Sequence, residues 1–542
     1  MSGQLGVWYA QQFAPTNPAY TIGDYTELRG VLDIDLFTDA LRLALDEADG
    51  YRLRITLEDG IPRQYVDDSG EYPIEVVDLR AETDPRAAAE QWIHADLDGP
   101  VDLVGGWLTA QAVLRLSDDH AIWYQRAHHI AVDGMGLSAF ADRLAEIYTG
   151  LVEGRVSAGR VLAPVAVLME TDRDYRESEE RVRDRDFWLD LLSGAPESAG
   201  WRGHHARRLA SRPVQHIEDI GADGVAGLRA AARRLKTSFA GLVIAAAAAY
   251  RHRVTGAQDI VLGVAVNGRT QMREFGIPGM TANIMPVRLR MTPESTVADL
   301  VRQAAQAVRQ GLRHQRYQYT DIMADLGLVG GGPLYDVVVN VVPADRPARF
   351  GDCSASWTGL YTGPVDDLRI DVYHGSAVGG MQTAVELNRD LHGEDEGADV
   401  SRHFLKVLNW FAAASPGDSV GNVELLDVVE LDRVLRQWND TDVAVPVGTL
   451  PGLFAGQVAR TPDAVAVVFE GESVSYAELD ARANRLARYL CGLGVGPESV
   501  VGVCLPRGVD MVVALLAVLK AGAAYLPVDP ELPAERVSFV LA

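Results

Sequence analysis

The sequence predicts a mixed α/β fold that is divided among several domains. Apolar residues recur every three or four positions in some segments, which is typical of helices, and form short β-branched runs in others, which is typical of strands. The chain has 542 residues, and at roughly 100–200 residues per domain this length corresponds to about three or four compact units. No internal repeat is visible, so neither a solenoid nor a propeller is expected.

The composition excludes several classes of function. The net charge of -25 disfavours a nucleic-acid partner, because phosphate binding requires clustered positive charge. The longest small-apolar run, over residues 242–249, is too short to span a membrane. The N-terminus lacks the basic and apolar regions of a signal peptide. We therefore expect a cytoplasmic monomer without a membrane or nucleic-acid partner.

The cysteines support the same compartment. There are three of them, Cys353, Cys491 and Cys504, and no CxxC pair occurs. An odd number at wide spacing predicts neither a disulfide framework nor a zinc site, which is consistent with a reducing cytoplasm.

The first part of the chain shows distinct helix and strand patterns. A helix is predicted over 36–45, a strand with alternating faces over 51–57, and a strand rich in aromatic residues over 121–127. A helix is predicted after Gly134, because its apolar residues lie three or four apart. These residues are Leu137, Phe140, Leu144, Ile147 and Leu151.

Further along, the charged run 170–186 is predicted to be a solvated helix face that connects two lobes. Buried strands are predicted over 259–266 and 335–342. Turn-forming residues over 439–451 indicate a linker. A second α/β pattern follows, with strands over 464–469 and 500–505 and helices over 475–493 and 511–519.

The run from His128 to Gly134, HHIAVDG, carries the candidate chemistry. Adjacent strand residues point to opposite faces, so His128 and His129 should have different roles. An imidazole can accept a proton or bind an amine near neutral pH, and the N-terminus of the following helix can polarise a carbonyl. A metal site is disfavoured, because the turn at Asp133 breaks helical spacing and no third ligand is near.

The run HHIAVDG resembles the HHxxxDG signature of condensation domains, which have the chloramphenicol-acetyltransferase-like fold. Further segments resemble other motifs of this family, in the order the family has them, so that the resemblance covers about residues 1–430. A departure is that Ala48 and Asp49 stand where the family has a His-Glu pair. The similar segments are 7–13, 51–54, 279–288, 313–315 and 333–336.

The resemblance implies a V-shaped pseudo-dimer of two chloramphenicol-acetyltransferase-like lobes, with the active site at their junction. We expect one lobe over 1–174, the other over 175–430, and a linker over 431–450. The implied reaction joins the acyl thioester of one carrier protein to the amine of an aminoacyl group on another. The substrates travel on phosphopantetheine arms of these partner proteins, and no cofactor is expected on the chain itself.

The resemblance also implies a role for each residue of the motif. His129 is the reactive histidine, either as general base or as a residue that orients the amine, and His128 packs. Asp133 has a structural role and is expected to pair with Arg52. Gly134 allows close approach of the backbone, and Asn283 is expected to line the substrate channel.

The last part of the sequence resembles another family. Segments 475–490 and 519–530 are similar to the first two motifs of adenylation domains. The phosphate loop, the acidic ribose ligands and the catalytic lysine of that family would follow residue 542, so this part is expected to be inactive alone. The chain ends inside a predicted helix, which indicates a piece of a longer or split protein.

Several alternatives stay open. An epimerisation domain shares the histidine motif, but usually follows a carrier domain. A non-catalytic platform for carrier proteins would be signalled by loss of His129, and a coenzyme A acyltransferase would lack the adenylation segment. Residues 417–421 match GxSxG, but they follow a helical stretch and precede a strand-like one, which is not the context of a nucleophile elbow.

The donor is not determined by these patterns. The segments 9–28 and 363–368 resemble N-terminal condensation domains of siderophore synthetases that accept aryl groups. Aryl, acyl and aminoacyl donors therefore all stay open.

Overall fold

The structure is a computed structural model that describes residues 1–69, 72–155, 161–198, 200–201, 203, 209–343, 346–361, 363–375, 380–445 and 447–541. The chain divides into two compact units, Met1–Asp427 and Val428–Ala542. Among the described residues, no helix is both long enough and apolar enough to cross a membrane.

The first unit contains alternating helices and strands. Its strands are β1 (Thr21–Arg29), β2 (Leu53–Glu58), β3 (Ile61–Val66), β4 (Ile74–Asp78), β5 (Thr109–Ser117), β6 (His120–His128), β7 (Pro213–Ile220), β8 (Asp259–Val266), β9 (Asn283–Arg290), β10 (Val337–Pro343), β11 (Arg349–Phe350), β12 (Cys353–Tyr361), β13 (Leu368–Gly375) and β14 (Gly380–Asn388). Its helices are α1 (Ser2–Gln12), α2 (Ile34–Glu47), α3 (Pro85–Asp98), α4 (Gly134–Val152), α5 (Ala166–Arg176), α6 (Glu179–Leu192), α7 (Ala222–Arg234), α8 (Phe239–Thr255), α9 (Val297–Gly311), α10 (Tyr319–Asp325) and α11 (Glu394–Ala413).

Two six-stranded sheets form the framework of this unit. The first sheet has the order β11-β12-β1-β6-β5-β4, and the second has the order β7-β14-β13-β10-β8-β9. Each sheet packs against helices around a separate apolar core. The two predicted lobes are therefore confirmed, each with a mixed α/β layer arrangement.

Two segments from the second half of the unit join the first lobe. Strands β11 and β12 extend the first sheet, because β12 pairs with β1 along its length. The loop over 267–282, between β8 and β9, is here called the crossing loop. It also enters the first lobe, where Ile277 and Met280 belong to the buried core. The junction of the lobes is therefore built from long-range pairing and not from a simple hinge.

Polar side chains begin several helices, which is why the chain turns into helix at these places. Each accepts a hydrogen bond from a backbone N–H of the first turn, and so satisfies a group that the helix itself leaves unpaired. These capping residues include Asp33, Asp84, Asp133, Ser178, Ser238 and Thr296.

The second unit is smaller and has its own apolar core. Strands β15 and β16 are antiparallel, and β17 and β18 are parallel. Lys520 donates hydrogen bonds to Asp480 at 2.6 Å and to Asn484 at 2.8 Å, which joins two of its helices. Its elements are α12 (Val428–Leu435), α13 (Leu450–Arg460), β15 (Val465–Phe469), β16 (Glu472–Ser475), α14 (Tyr476–Gly492), β17 (Val500–Val503), α15 (Val509–Lys520), β18 (Ala524–Pro527) and α16 (Ala534–Leu541).

Most of the predicted elements are confirmed within a few residues, with two differences. The strand predicted over 51–57 begins only at Leu53, because Asp49–Arg52 forms a turn of 3₁₀ helix. The charged run 170–186 forms parts of two helices, α5 and α6, since Ser178 caps the second one. The proposed boundaries at 174, 430 and 450 stay predictions.

We predict that Gly50→Ala destabilises the first unit by about 1–3 kcal/mol, because the new methyl group would overpack the lobe junction. A Cβ at Gly50 would lie 2.2 Å from the carbonyl oxygen of Pro278, which belongs to the crossing loop. Urea unfolding measures the change.

Gly227→Ala is the matched control. Gly227 lies within α7, and a Cβ there would meet only an ordinary contact at 3.9 Å, so this change should be neutral or stabilising. Equal stability of the two variants would contradict the close approach of the crossing loop.

Candidate active site

The two histidines of the motif lie at the end of β6, where the chain leaves the first sheet. The backbone N–H of His128 donates to the carbonyl of Leu108 at 2.7 Å, and that of His129 donates to the carbonyl of Tyr20 at 2.8 Å. His128 is only 2% exposed, whereas His129 is half-buried. The strand has thus placed the two imidazoles in different surroundings, as their alternation predicts.

His128 is fixed by two hydrogen bonds. Its Nδ1 accepts from the backbone N–H of Ile130 at 3.2 Å, so the proton lies on Nε2, which is 3.3 Å from Oε1 of Gln11. Burial, followed by the neighbouring His129 and Arg126, lowers the pKa of His128 to about 3. This side chain is therefore neutral near pH 7 and ties α1 to the end of β6.

His129 presents one nitrogen to the interior of the unit. Its Nδ1 lies 3.2 Å from the sulfur of Met280 in the crossing loop. Because a thioether sulfur can only accept, Nδ1 carries the proton and Nε2 keeps its lone pair. Burial lowers the pKa of His129, Arg369 lowers it further, and Asp133 opposes the shift. His129 is thus suited to accept a proton or bind an amine at neutral pH.

Asp133 caps α4 and holds the loop that follows His129. Its Oδ1 accepts from the backbone N–H of Gly136 at 2.9 Å, and its Oδ2 accepts from that of Thr281 at 3.0 Å. Arg269 donates to both oxygens, at 2.8 and 3.2 Å. The side chains of Arg269 and Asp133 are 0% and 2% exposed. Burial raises the pKa of Asp133, but the Arg269 charge and these hydrogen bonds outweigh it, so the net pKa is lowered.

The predicted pairing of Asp133 with Arg52 is wrong, because Arg269 holds the carboxylate. Arg52 binds Asp49 at 2.8 Å and also Asp68, which are close to it in sequence. Arg52 therefore stabilises the turn before β2 and its hairpin.

Arg269 also organises the crossing loop. Its guanidinium donates to four backbone carbonyls, those of Asn267, Glu274, Ile277 and Gly279, at 3.0–3.3 Å. The Arg269 side chain thus hydrogen-bonds both the backbone carbonyls of this loop and the carboxylate of Asp133, which comes from the other half of the unit. This arrangement fixes Met280 beside His129.

The structure shows no hydrogen bond of Gly134 or Asn283 to His129 among the described residues. No described atom is within 4 Å of a Cβ built on Gly134, so close packing inside the protein does not require a glycine there. Asn283 donates to the carbonyls of Gln315 and Tyr317 and accepts from the N–H groups of Ile284 and Tyr319. These bonds anchor the start of β9, and a channel role of Asn283 stays a prediction.

Several residues of the site could not be singled out from the sequence. Gly136 is one, since a Cβ there would lie 2.6 Å from Val132 and 3.1 Å from the backbone nitrogen of Gly279. Met280 and Arg269 are others, because no local pattern distinguishes them.

The described residues contain no group of three histidine, cysteine or acidic side chains that could hold a metal ion. His129 lies between the loop that Arg269 holds and the buried guanidinium of Arg369, since both His129 and Arg369 adjoin Gly363.

Comparison with known proteins agrees with these features. The family model described as Condensation domain matches residues 1–432, and the model described as AMP-binding enzyme matches residues 454–542. Among curated proteins, the chain is 36% identical over 541 residues to the dimodular nonribosomal peptide synthase of Bacillus subtilis (strain 168), covering 99% of this chain and 23% of the relative.

Two further relatives are similar over the whole chain. The isonitrile lipopeptide synthase of Streptomyces coeruleorubidus is 35% identical, with 36% of its length covered. Enterobactin synthase component F of Escherichia coli (strain K12) is 30% identical, with 42% of its length covered. The chain thus spans less than half the length of each of these relatives.

Solved structures match the first unit. The starter condensation domain of rhizomide synthetase RzmA, a mutant in complex with C8-CoA and Leu-SNAC, has a TM-score of 0.73 and 34% identity, covering 79% of this chain and 96% of that one. The first condensation domain of the calcium-dependent antibiotic synthetase, with a substrate analogue, has a TM-score of 0.73 and 29% identity, covering 79% and 98%.

We predict that Arg269→Met lowers the free energy of unfolding by about 3–5 kcal/mol, because the carboxylate of Asp133 is left buried and unpaired. Arg52→Met should cost less, about 1–2 kcal/mol, since neither of its partners, Asp49 and Asp68, is fully buried and both can be solvated. Urea unfolding of both variants measures the difference. A larger loss of stability in Arg52→Met than in Arg269→Met would contradict the assignment of Arg269 as the partner of Asp133.

We also predict a pH dependence of stability from His128. Its pKa is lower in the folded state than its ordinary value of 6.5, so the unfolded chain binds the proton more readily. The stabilisation is complete above about pH 6.5 and is lost as the pH falls towards 3.

The measurement is urea unfolding between pH 7.5 and 5 for the wild type and for His128→Asn, which keeps an acceptor for Ile130. The wild type should lose more stability over this interval than the variant. Parallel curves would show that His128 is not held neutral.

Proposed function

The chain belongs to the condensation-domain family of nonribosomal peptide synthetases, and on this premise we propose that its first unit forms an amide bond between two carrier-bound substrates. Condensation domains are acyltransferases. The proposed donor is an aryl, acyl or aminoacyl thioester, and the proposed acceptor is the amine of an aminoacyl thioester. Each would arrive on the phosphopantetheine arm of a carrier protein.

One observation carries this proposal: Nδ1 of His129 lies 3.2 Å from the sulfur of Met280 at the junction of the two lobes, which leaves Nε2 free to accept a hydrogen bond. An amine nucleophile needs a neutral hydrogen-bond acceptor near neutral pH, and a lowered pKa keeps the imidazole in this form. The exposed Gly134 leaves open space at the start of α4, where a substrate could approach the backbone.

The reaction requires placement more than activation. A thioester is already a good acyl donor, so the main task is to hold the amine against the carbonyl carbon. Orienting two reactants in this way can lower the activation barrier by up to roughly 7–11 kcal/mol, and a contribution of several kcal/mol is expected here. His129 would hold the amine by a hydrogen bond to Nε2 and take its proton as the C–N bond forms. The Asp133–Arg269 pair would keep the histidine loop rigid during this step.

The role of the whole protein is part of the proposal. The similarity to enterobactin synthase component F supports a place in siderophore or related secondary metabolism, with an aryl donor among the candidates. The second unit would belong to an adenylation domain and would be inactive by itself. We place the protein in the cytoplasm, where carrier proteins are loaded.

The test is intact-mass spectrometry of a donor carrier loaded with a benzoyl or aminoacyl group and an acceptor carrier loaded with an amino acid. We predict that the wild type moves the acyl group to the acceptor and that His129→Ala slows this transfer by about 10²–10⁴-fold. His120→Ala is the matched control on the same strand and should keep the wild-type rate.

If the acyl group is still transferred by His129→Ala, His129 has only a structural role. Carrier binding without transfer by the wild type, with every donor, would favour a docking platform. Change of the acceptor's stereochemistry without transfer would favour an epimerisation domain.

A pH–rate profile gives a further prediction. The neutral form of His129 is the active one, and its pKa lies below the ordinary value of 6.5. The transfer rate, divided by the fraction of unprotonated acceptor amine, should be constant above about pH 6.5 and fall only at lower pH. A midpoint above pH 6.5 would contradict a depressed pKa at His129.

A further inference from the structure

Arg369 is a buried cation that forms no ion pair among the described residues. The residue is only 6% exposed, and its Nε and Nη1 have no hydrogen-bond partner. Throughout the described ranges, no carboxylate forms an ion pair with it. A buried charge without a partner is costly, so such a group in a folded protein calls for an explanation.

The strand geometry aims Arg369 away from the apolar core. Along β13, Leu368, Ile370 and Val372 belong to the core of the second lobe. Because strand residues alternate, Arg369 lies on the opposite face, across from Glu386 of β14. Its side chain therefore faces the lobe junction.

Gly363 lies beside both this guanidinium and His129. A Cβ built on Gly363 would lie 3.8 Å from Nε2 of His129 and 3.5 Å from Nη1 of Arg369. The same point thus adjoins both groups, and the absence of a side chain at Gly363 keeps it open. The space beside Nε2 is bounded by Arg369.

Two carboxyl groups lie near Arg369, those of Glu386 and Asp371, and neither forms an ion pair with it. Burial, followed by the charge of Asp371, raises the pKa of Glu386 to about 8, and the charge of Arg369 opposes this shift. Oε1 of Glu386 accepts from Gln215 at 2.8 Å, and its Oε2 has no partner. Asp371 accepts from Asn340 at 2.7 Å.

We propose that Arg369 contacts the reacting substrate and donates a hydrogen bond to the carbonyl oxygen of the donor thioester. This inference rests on the proposed function. The amine bound at Nε2 of His129 must lie within about 3–3.5 Å of the carbonyl carbon, and the carbonyl oxygen then has Arg369 as the adjoining donor. An oxyanion would supply the negative charge that the buried guanidinium lacks.

The step balances as follows. The amine nitrogen attacks the carbonyl carbon, the C–N bond forms, and the carbonyl π electrons move to the oxygen, which Arg369 binds. The oxyanion collapses, the C=O bond forms again, and the C–S bond breaks. The thiolate leaves with the electron pair and receives the proton that His129 took from the amine.

The charge of Arg369 has a second consequence for the site. Two charged groups act on His129: Asp133, which raises its pKa, and Arg369, which lowers it. Replacement of Arg369 by a neutral residue should therefore raise the pKa of His129. The acid limb of the pH–rate profile should then move to higher pH, an effect that a purely structural arginine would not produce.

The experiment compares Arg369→Met and Arg369→Lys with the wild type, using benzoyl and 2-hydroxybenzoyl donors. We expect Arg369→Met to lower the single-turnover rate by about 100-fold with both donors. The rate of Arg369→Lys should lie between those of the wild type and Arg369→Met. The acid limb should shift upward in Arg369→Met. If Arg369→Met lost rate with the 2-hydroxybenzoyl donor alone, the assignment of Arg369 to the carbonyl oxygen would be overturned. A rate of Arg369→Met within twofold of the wild type with both donors would overturn it as well.

Stability distinguishes this role from a structural one. Arg369→Met removes an unpaired buried charge, so its unfolding temperature should equal or exceed that of the wild type. Arg269→Met is the matched control, a buried arginine with partners, and its unfolding temperature should fall. A fall in Arg369→Met that accounts for the lost activity would overturn the proposal.

A binding measurement separates this inference from the proposed function. Benzoate carries an anionic oxygen in place of the oxyanion, and it should raise the unfolding temperature of the wild type but not of Arg369→Met. If the wild type transfers no acyl group but shows this difference, the proposed function fails while the anion site at Arg369 stands. If benzoate acts equally on both proteins, the assignment of Arg369 fails.

Discussion

The ion pair between Asp133 and Arg269 is the interaction on which the site depends. Both side chains are buried, and separating either from its partner would leave a charge in a medium that solvates it poorly. The pair joins the start of α4 to the loop over 267–282, two segments 136 residues apart in the chain. The ion pair therefore brings the segment of His129 beside that of Met280, whose sulfur lies 3.2 Å from Nδ1 of His129.

The same burial creates the chemical character of the site. The pKa of His128 is lowered by burial and by the neighbouring His129 and Arg126, and the pKa of His129 is lowered by burial and by Arg369. Arg369 forms no ion pair among the described residues, and its Nε and Nη1 have no hydrogen-bond partner. A buried charge of this kind lowers stability. Under the proposal, the substrate supplies the negative charge that binds this guanidinium.

Much of this could be predicted from local patterns. The apolar period after Gly134 predicts α4, and strand alternation places His128 and His129 on different sides, because both depend only on neighbouring residues. The motif predicts His129 as the reactive group. The partner of Asp133 was predicted wrongly, since Arg52 and Arg269 look equally suitable in sequence and only the fold decides between them. The pairing of β12 with β1 and the direction of the Arg369 side chain likewise depend on contacts between distant segments, so local patterns could not predict them.

The most direct test is a double-mutant cycle of the single-turnover transfer rate with Asp133→Asn, Arg269→Met and the double variant, each corrected for its folded fraction. If one ion pair positions His129, either single change removes that positioning, and the double variant should be no slower than the slower single variant. If instead the two losses multiply, Asp133 and Arg269 act independently, and the ion pair does not control the placement of His129.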